Sequence, residues 1–266
     1  MSMRPRVLVI AGSDSSGGAG LLRDVQVLSE LNVDVLCAVT AVTAQTDARV
    51  DATHAVPPEL VRQQISNAFE IGGIGAVKIG MLVNSAIVEA VASALPSRKA
   101  IPIVLDPVLV SSSGAALLDD AGVIALKELL LPRCTLATPN LSEAAVLLDD
   151  SVALTEAAMV EQAQRILRMG CQGVLLKGGH SIGNEAVDVL VTATKPPRRL
   201  PAERVNAQLR GTGCALSSAI AAHLAMQASL TPACESGKNY VLGKLRNAQA
   251  STSAGEPRRS ACNSSD

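Results

Sequence analysis

The stretch Arg6-Val-Leu-Val-Ile-Ala-Gly-Ser-Asp-Ser-Ser-Gly-Gly-Ala-Gly-Leu-Leu-Arg-Asp24 decides the fold. Arg6 to Ala11 read as a strand buried on both faces, near-continuously apolar from Val7 onward. Four glycines follow at 12, 17, 18 and 20, after which Leu21, Val25 and Leu28 share one helical stripe. Strand, glycine-rich turn and helix in that order open a βαβ unit. The glycines let the backbone approach a ligand and aim N–H groups at it. No Lys-Ser/Thr pair follows them, so the turn is not a Walker A loop, and its spacing is not GxGxxG. Asp24 sits on the flank of the stripe, beyond the first turn where the helix dipole favours an acid. A solvated residue and a ligand-facing one both fit that position.

Working outward, apolar runs at Val33–Val42, Ala76–Ile79, Ala100–Asp106, Cys134–Thr138, Gly173–Lys177 and Ala186–Val191 read as further buried strands. Helical stripes lie between them: Val61/Ile65/Ala68 after Pro57-Pro58, Ile87/Val91/Leu95, and Met159/Ala163/Ile166. The alternation predicts an α/β protein of three αβα layers around a mostly parallel sheet with right-handed crossovers. One domain is expected over residues 1–250. The Ser/Arg/Gly/Asn-rich stretch 251–266 is expected to be a disordered tail.

The 266 residues carry 23 Lys+Arg against 24 Asp+Glu, a net charge of −1, which provides no electrostatic footprint for nucleic acid. Hydrophobic residues make up 48% but aromatic ones 1%, Phe69 and Tyr240 alone, so the core must be aliphatic and base-stacking platforms are excluded. No apolar run approaches the ~20 residues of a membrane span. The longest candidate, Leu216–Met226, is interrupted by His223, and the run after Arg4 and Arg6 is too short for a signal peptide. Six scattered cysteines without a CxxC pair fit reduced thiols and a cytoplasmic location. The three histidines share no metal-ligand spacing.

In such sheets ligands bind beyond the carboxyl ends of the strands, so the residues that follow each strand carry the argument. Gln45 ends one strand and Asp106-Pro107 another, the acid being suited to Mg²⁺. Thr138-Pro-Asn140-Leu-Ser-Glu143 has the spacing of a capping box. Lys177-Gly-Gly-His180 presents a cation beside two flexible residues. Gly211-Thr-Gly-Cys214 opens a helix striped by Leu216, Ile220 and Leu224, with backbone N–H groups forming an anion hole. Cys214 in that first turn is expected to have its thiol pKa lowered by the dipole; a plain capping turn with a buried cysteine is the other reading. Jointly these groups suit phosphoryl transfer, where catalysis is mainly positioning and charge neutralisation.

With those residues in view, the chain resembles the hydroxymethylpyrimidine/phosphomethylpyrimidine kinases of thiamine biosynthesis, within the ribokinase-like superfamily. The resemblance covers residues 5–249. It rests on Ala11–Gly20, Thr40–Thr46, Val77–Leu82, Val104–Gly114, Leu130–Ala144, Leu175–His180 and Gly211–Ala225. It implies ATP, Mg²⁺ and two successive transfers, to the hydroxymethyl group and then to the monophosphate. By the same resemblance Gln45 hydrogen-bonds the aminopyrimidine, and Gly12, Asp24, Met81 and Val108 line its pocket. Asn140 and Lys177 contact the nucleotide phosphates, together with Thr212. Glu143 and Asp106 hold Mg²⁺, largely through water. Gly211, Thr212 and Gly213 supply the anion hole, and Cys214 sits at the acceptor oxygen as base or oxyanion stabiliser. The family also implies a homodimer.

The chain departs from the family pattern at Arg210, where a His usually precedes GTGC, at Ala215 in place of Thr, and at Thr46-Asp47 in place of Asn-Thr. A pyridoxal kinase is the enzymatic alternative, and a non-catalytic ligand-binding relative the other. With so few aromatic rings, the substrate ring is expected to rest on Val108 and Met81, with specificity coming from Gln45.

Overall fold

Along β1 (Arg6–Asp14) the side chains alternate between two separate cores. Leu8 and Ile10 join one with Val77, Ile79 and Leu105, while Val7, Val9 and Ala11 join the other with Ala76, Val104 and Leu136. Both faces of the strand are therefore covered, and Val7 through Ala11 are fully buried. Each of the Val, Leu and Ile side chains among them contributes about 1.5–3 kcal/mol by burial. The structure, a computed structural model, describes residues 4–96, 101–111, 114, 116–179, 185–207 and 209–255.

The remaining strands are β2 (Asp34–Gln45), β3 (Val50–Ala55), β4 (Ile74–Ile79), β5 (Ile103–Leu105), β6 (Leu136–Ala137), β7 (Gly173–Leu176), β8 (Glu185–Thr192) and β9 (Arg198–Glu203). Together they form one sheet in the order β3-β2-β1-β4-β5-β6-β7-β8-β9. Pairing is parallel from β2 through β7 and antiparallel at β2/β3, β7/β8 and β8/β9. The helices are α1 (Gly20–Glu30), α2 (Pro58–Ile71), α3 (Ser85–Ala94), α4 (Asp120–Ala125), α5 (Leu141–Leu148), α6 (Glu156–Leu167), α7 (Thr212–Ala225) and α8 (Leu230–Gly255). α2 to α6 pack on the Leu8/Ile10 face, and α1, α7 and α8 on the Val7/Val9 face. The fold is the three-layer, mostly parallel α/β arrangement expected from the alternation.

Three local expectations change. β3 and β9 went unrecognised because Val50-Asp-Ala-Thr-His-Ala and Arg198-Arg-Leu-Pro-Ala-Glu lie at the sheet edges, mostly exposed, and lack a continuous apolar run. In α1 the inward residues are Leu21, Asp24, Val27 and Leu28, while Val25 is only half-buried, so an acid occupies the core-facing row. The expected tail is helical from Ser251 to Gly255, and its remainder lies outside the described residues.

β1 sits between β2 and β4, so successive units wind away in opposite directions and leave a crevice beyond the carboxyl ends. The parallel register brings Ile10 opposite Ile79, Ile79 opposite Leu105, and Leu105 opposite Ala137. Residues immediately after these strands consequently converge on one edge of the sheet.

Candidate active site

At that edge Lys177, just after β7, donates to Asp106 Oδ1 at 2.8 Å. Thr138 Oγ1 donates to the same oxygen at 3.2 Å, and Ser217 Oγ on α7 lies 3.4 Å from Oδ2. Burial pushes the Asp106 carboxyl upward, but Lys177 and then Lys78 outweigh it and hold it below the usual range. Lys177 is disfavoured by burial yet kept firmly charged by Asp106 and Glu143. Gly211 caps α7 in the left-handed region, at φ 70°. A Cβ on Gly213, inside the first turn, would lie 3.2 Å from Lys177 Nζ and 3.6 Å from Asp106 Oδ2. The ammonium thus sits against the free N–H end of a 14-residue helix, and both attract anions.

Asn140 and Glu143 close a capping box at the start of α5. The Asn140 side chain accepts from the Glu143 N–H at 2.8 Å, and Glu143 Oε2 accepts from the Asn140 N–H at 2.7 Å. Oε2 also lies 3.8 Å from Lys177 Nζ. Burial, opposed by Lys177, raises the Glu143 carboxyl to about 7. The capping and cation-holding readings are compatible, because Oε1 makes no hydrogen bond among the described residues.

Behind Cys214 lies a second ion pair. Lys78 on β4 donates to Asp24 Oδ2 at 2.7 Å, and Ser218 Oγ donates to Asp24 Oδ1 at 2.8 Å. Both members of the pair are fully buried. Burial pushes the Asp24 carboxyl up against the pull of Lys78, while the charge on Asp24 outweighs burial for Lys78 and holds it charged. Gly80 is needed beside this lysine, since a Cβ there would come within 2.8 Å of its Nζ. Asp24, expected to line the substrate pocket, is fully buried with both oxygens committed to protein groups.

The Cys214 expectation needs correcting. Burial pushes its thiol up to about 11, with Asp24 and Asp106 adding to the rise; Lys78 and the Gly20 N–H oppose it without prevailing. The helix dipole that pointed to a thiolate is outweighed by desolvation, so the resting group is S–H.

Of the residues expected around the ring, Gly12 and Gln45 lie near the ends of β1 and β2, and Met81 and Val108 follow β4 and β5. A Cβ on Gly12 would come within 2.9 Å of Met81 Sδ, so the absence of a side chain there makes room for the thioether. Thr40 Oγ1 donates to the Met81 carbonyl at 2.6 Å and fixes that turn. Gln45 ends β2 half-buried, and its Oε1 accepts from Thr43 Oγ1 at 3.3 Å. Val108 follows Asp106 with its N–H on the Asp106 carbonyl. Phe69 packs half-buried from α2 onto the core, and the Tyr240 hydroxyl donates to Glu30 at 2.6 Å, so neither follows a strand.

Sequence reasoning missed Lys78, Thr138, Ser217 and Ser218. The signal for Lys78 was present: a lysine inside Val77-Lys-Ile-Gly, at a strand position buried on both faces, requires a buried partner.

A lysine–carboxylate pair held against an open helix N-terminus is suited to bind and neutralise phosphate groups. On this sheet order it places the molecule in the ribokinase-like class of small-molecule kinases. More narrowly, the chain belongs to the phosphomethylpyrimidine kinase family, whose profile matches residues 14–258. It is 43% identical over 235 residues to the hydroxymethylpyrimidine/phosphomethylpyrimidine kinase of Rhizobium meliloti, covering 88% of each chain. A bifunctional thiamine biosynthesis protein from Geobacter sulfurreducens is 37% identical over 92% of this chain, which spans 50% of that longer protein. Among solved structures, phosphomethylpyrimidine kinase from Clostridium difficile 630 is 33% identical with a TM-score of 0.80, over 91% of this chain and 100% of that one. Staphylococcus aureus pyridoxal kinase in complex with pyridoxal is 28% identical with a TM-score of 0.84, over 92% and 89%.

Proposed function

We propose that this protein transfers the γ-phosphoryl group of ATP to the hydroxymethyl group of 4-amino-5-hydroxymethyl-2-methylpyrimidine, and a second phosphoryl group to the resulting monophosphate, in thiamine biosynthesis. The observation that carries the reading is the Lys177–Asp106 pair beside Gly213, in a chain of the phosphomethylpyrimidine kinase family. Lys177 and Asn140 contact the nucleotide phosphates, and Lys177 offsets the negative charge that must approach the acceptor. The N–H groups of Gly211, Thr212 and Gly213 receive the oxygens of the transferred group. Gln45 reads the aminopyrimidine edge, with Gly12, Met81 and Val108 beneath the ring. Cys214, as a neutral thiol, donates S–H toward the acceptor oxygen, whose own proton passes to an oxygen of the transferred phosphoryl group as the P–O bond to ADP breaks, with the Asp24–Lys78 pair behind the thiol.

Asp106 and Glu143 are hard oxygen donors near one cation. No larger cluster of His, Cys, Asp and Glu exists among the described residues. Two carboxylates fit Mg²⁺, which usually keeps several waters and is completed by substrate phosphates. Bound there, the ion would neutralise phosphate charge. The kinase domain on this reading is residues 1–250. A cytoplasmic homodimer belongs to the same reading, supported by the family resemblance and by free thiols at Cys37, Cys134, Cys171, Cys214 and Cys234.

A coupled ADP-release assay with the aminopyrimidine and with pyridoxal tests the assignment. A higher kcat/KM for the aminopyrimidine is expected, and a higher value for pyridoxal would overturn it. Turnover of neither would leave a ligand-binding relative. Formation of the diphosphate from the monophosphate tests the second transfer.

A further inference from the structure

Two departures from the family pattern, Arg210 and Asp47, stand 163 residues apart and meet. Arg210 Nη1 donates to Asp47 Oδ1 at 2.6 Å and to Ser16 Oγ at 2.9 Å, while Nη2 lies 3.3 Å from Asp14 Oδ2. Asp14 in turn organises the glycine-rich turn: Oδ1 accepts from the Ser16 N–H and hydroxyl, and Oδ2 from the Ala19 N–H. Ser15 joins that turn to β2, its Oγ donating to the Gln45 carbonyl and accepting from the Gln45 N–H. A Cβ on Gly18 would lie 3.0 Å from Arg210 Nη1, so the bare turn lets the guanidinium lie against it.

We propose that Arg210 and Asp47 are positioning residues, whose ion pair sets the distance between Gln45 and the anion hole that begins at Gly211. The inference rests on the reading of Gln45 as the residue that meets the ring. Gln45 ends a strand and stands two residues before Asp47; Gly211 opens a helix and directly follows Arg210. The ring edge and the reacting oxygen of one small substrate are thus held by separate elements. The Arg210–Asp47 bond spans them across the glycine-rich turn. Asp47 is 84% exposed, so this arm adds little to folding stability, whereas the Asp14 arm is anchored on a carboxylate only 5% exposed. A bond of little stabilising value between two binding elements acts through geometry, and small misplacements of a bound substrate are costly to rate.

The test combines kinetics with hydrogen exchange on the full chain. Asp47→Asn, Arg210→Lys and the double variant are compared for KM of the aminopyrimidine, KM of ATP, and amide exchange over residues 44–49. Asp47→Asn is expected to raise KM for the aminopyrimidine about tenfold, leave KM for ATP within about twofold, and quicken exchange in that segment without lowering the melting temperature. Once Asp47 is gone, Arg210→Lys can cost only what Arg210 does through Ser16 and Asp14, so the double variant should fall short of the sum of the two singles. Unchanged KM for the aminopyrimidine, equal changes for both substrates, or strictly additive effects would each overturn the positioning role. Wild-type protein without turnover of the aminopyrimidine would instead count against the function proposed above. In that case the exchange comparison still decides whether the bond orders the Gln45 loop: unchanged exchange overturns it, and faster exchange supports it.

Discussion

Lys78 donates to Asp24 across 2.7 Å, and both side chains are closed off from solvent. A buried ion pair is a poor way to stabilise a fold, since desolvating two charges can cost more than their attraction returns. Its position explains its presence. Ser218 binds Asp24, and Ser217, its neighbour on α7, reaches toward Asp106, which is paired with Lys177. Adjacent serines on α7 thus face two Asp–Lys pairs.

Lys78→Met leaves the Asp24 carboxylate buried with Ser218 alone. Urea unfolding should show a loss of about 3–5 kcal/mol. A loss below about 1 kcal/mol would mean that Asp24 is protonated and needs no cation. The paired replacement Lys78→Met with Asp24→Leu should recover much of the stability, while activity stays low.

Cys214 is held as a thiol, near pKa 11. Its alkylation by iodoacetamide, followed by peptide mapping, should be slow at neutral pH and rise about tenfold per pH unit up to that value. Cys214→Ala should lower kcat about a hundredfold with an unchanged circular dichroism spectrum. An unaltered kcat would remove Cys214 from the mechanism.

Glu143 titrates near 7 in the folded protein, well above its usual value. The folded state therefore keeps this proton after the unfolded chain has lost it. The associated stability is complete at low pH and is lost as pH rises toward 7. On the proposed function activity runs the other way, since only an ionised carboxylate at Glu143 would hold Mg²⁺. An ascending limb in kcat/KM near pH 7 is expected, disappearing in Glu143→Gln, whose stability should depend less on pH. The comparison needs pH–rate profiles at sub-saturating Mg²⁺, where the metal-free carboxylate still titrates, and urea unfolding at pH 5 and 8.

Gly213→Ala places a methyl group 3.2 Å from Lys177 Nζ and obliges the ammonium to shift. A fall in kcat of about tenfold or more is expected, with KM for the aminopyrimidine little changed. Lys177→Met should cost about a hundred- to a thousandfold in kcat. Single-turnover phosphoryl transfer separates both effects from product release.

Much of this was legible in the chain. The apolar runs became β1, β2, β4, β5, β6, β7 and β8, and the stripe Val61/Ile65/Ala68 is the buried row of α2. Gln45, Asp106, Asn140 and Lys177 fell at strand ends because the position after a parallel strand is set by the strand itself. The two edge strands escaped because a strand with an exposed face need not be apolar throughout. Asp24 was singled out, but its burial in the core-facing row escaped because a helical stripe drawn through Leu21 and Leu28 fits Val25 as readily as its acidic neighbour.

Local backbone chemistry, written in glycine positions and apolar periodicity, determined the layers, the order of turns and which residues reach the ligand edge. Packing decided the rest. Lys78 meets Asp24 across 54 residues and Arg210 meets Asp47 across 163, and neither partner is implied by its neighbours in the chain. The protonation of Cys214 followed the same division. Its place in the first turn of α7 was readable and pointed toward a thiolate, but the desolvation and the neighbouring Asp24 and Asp106 that hold the proton in place exist only in the folded chain.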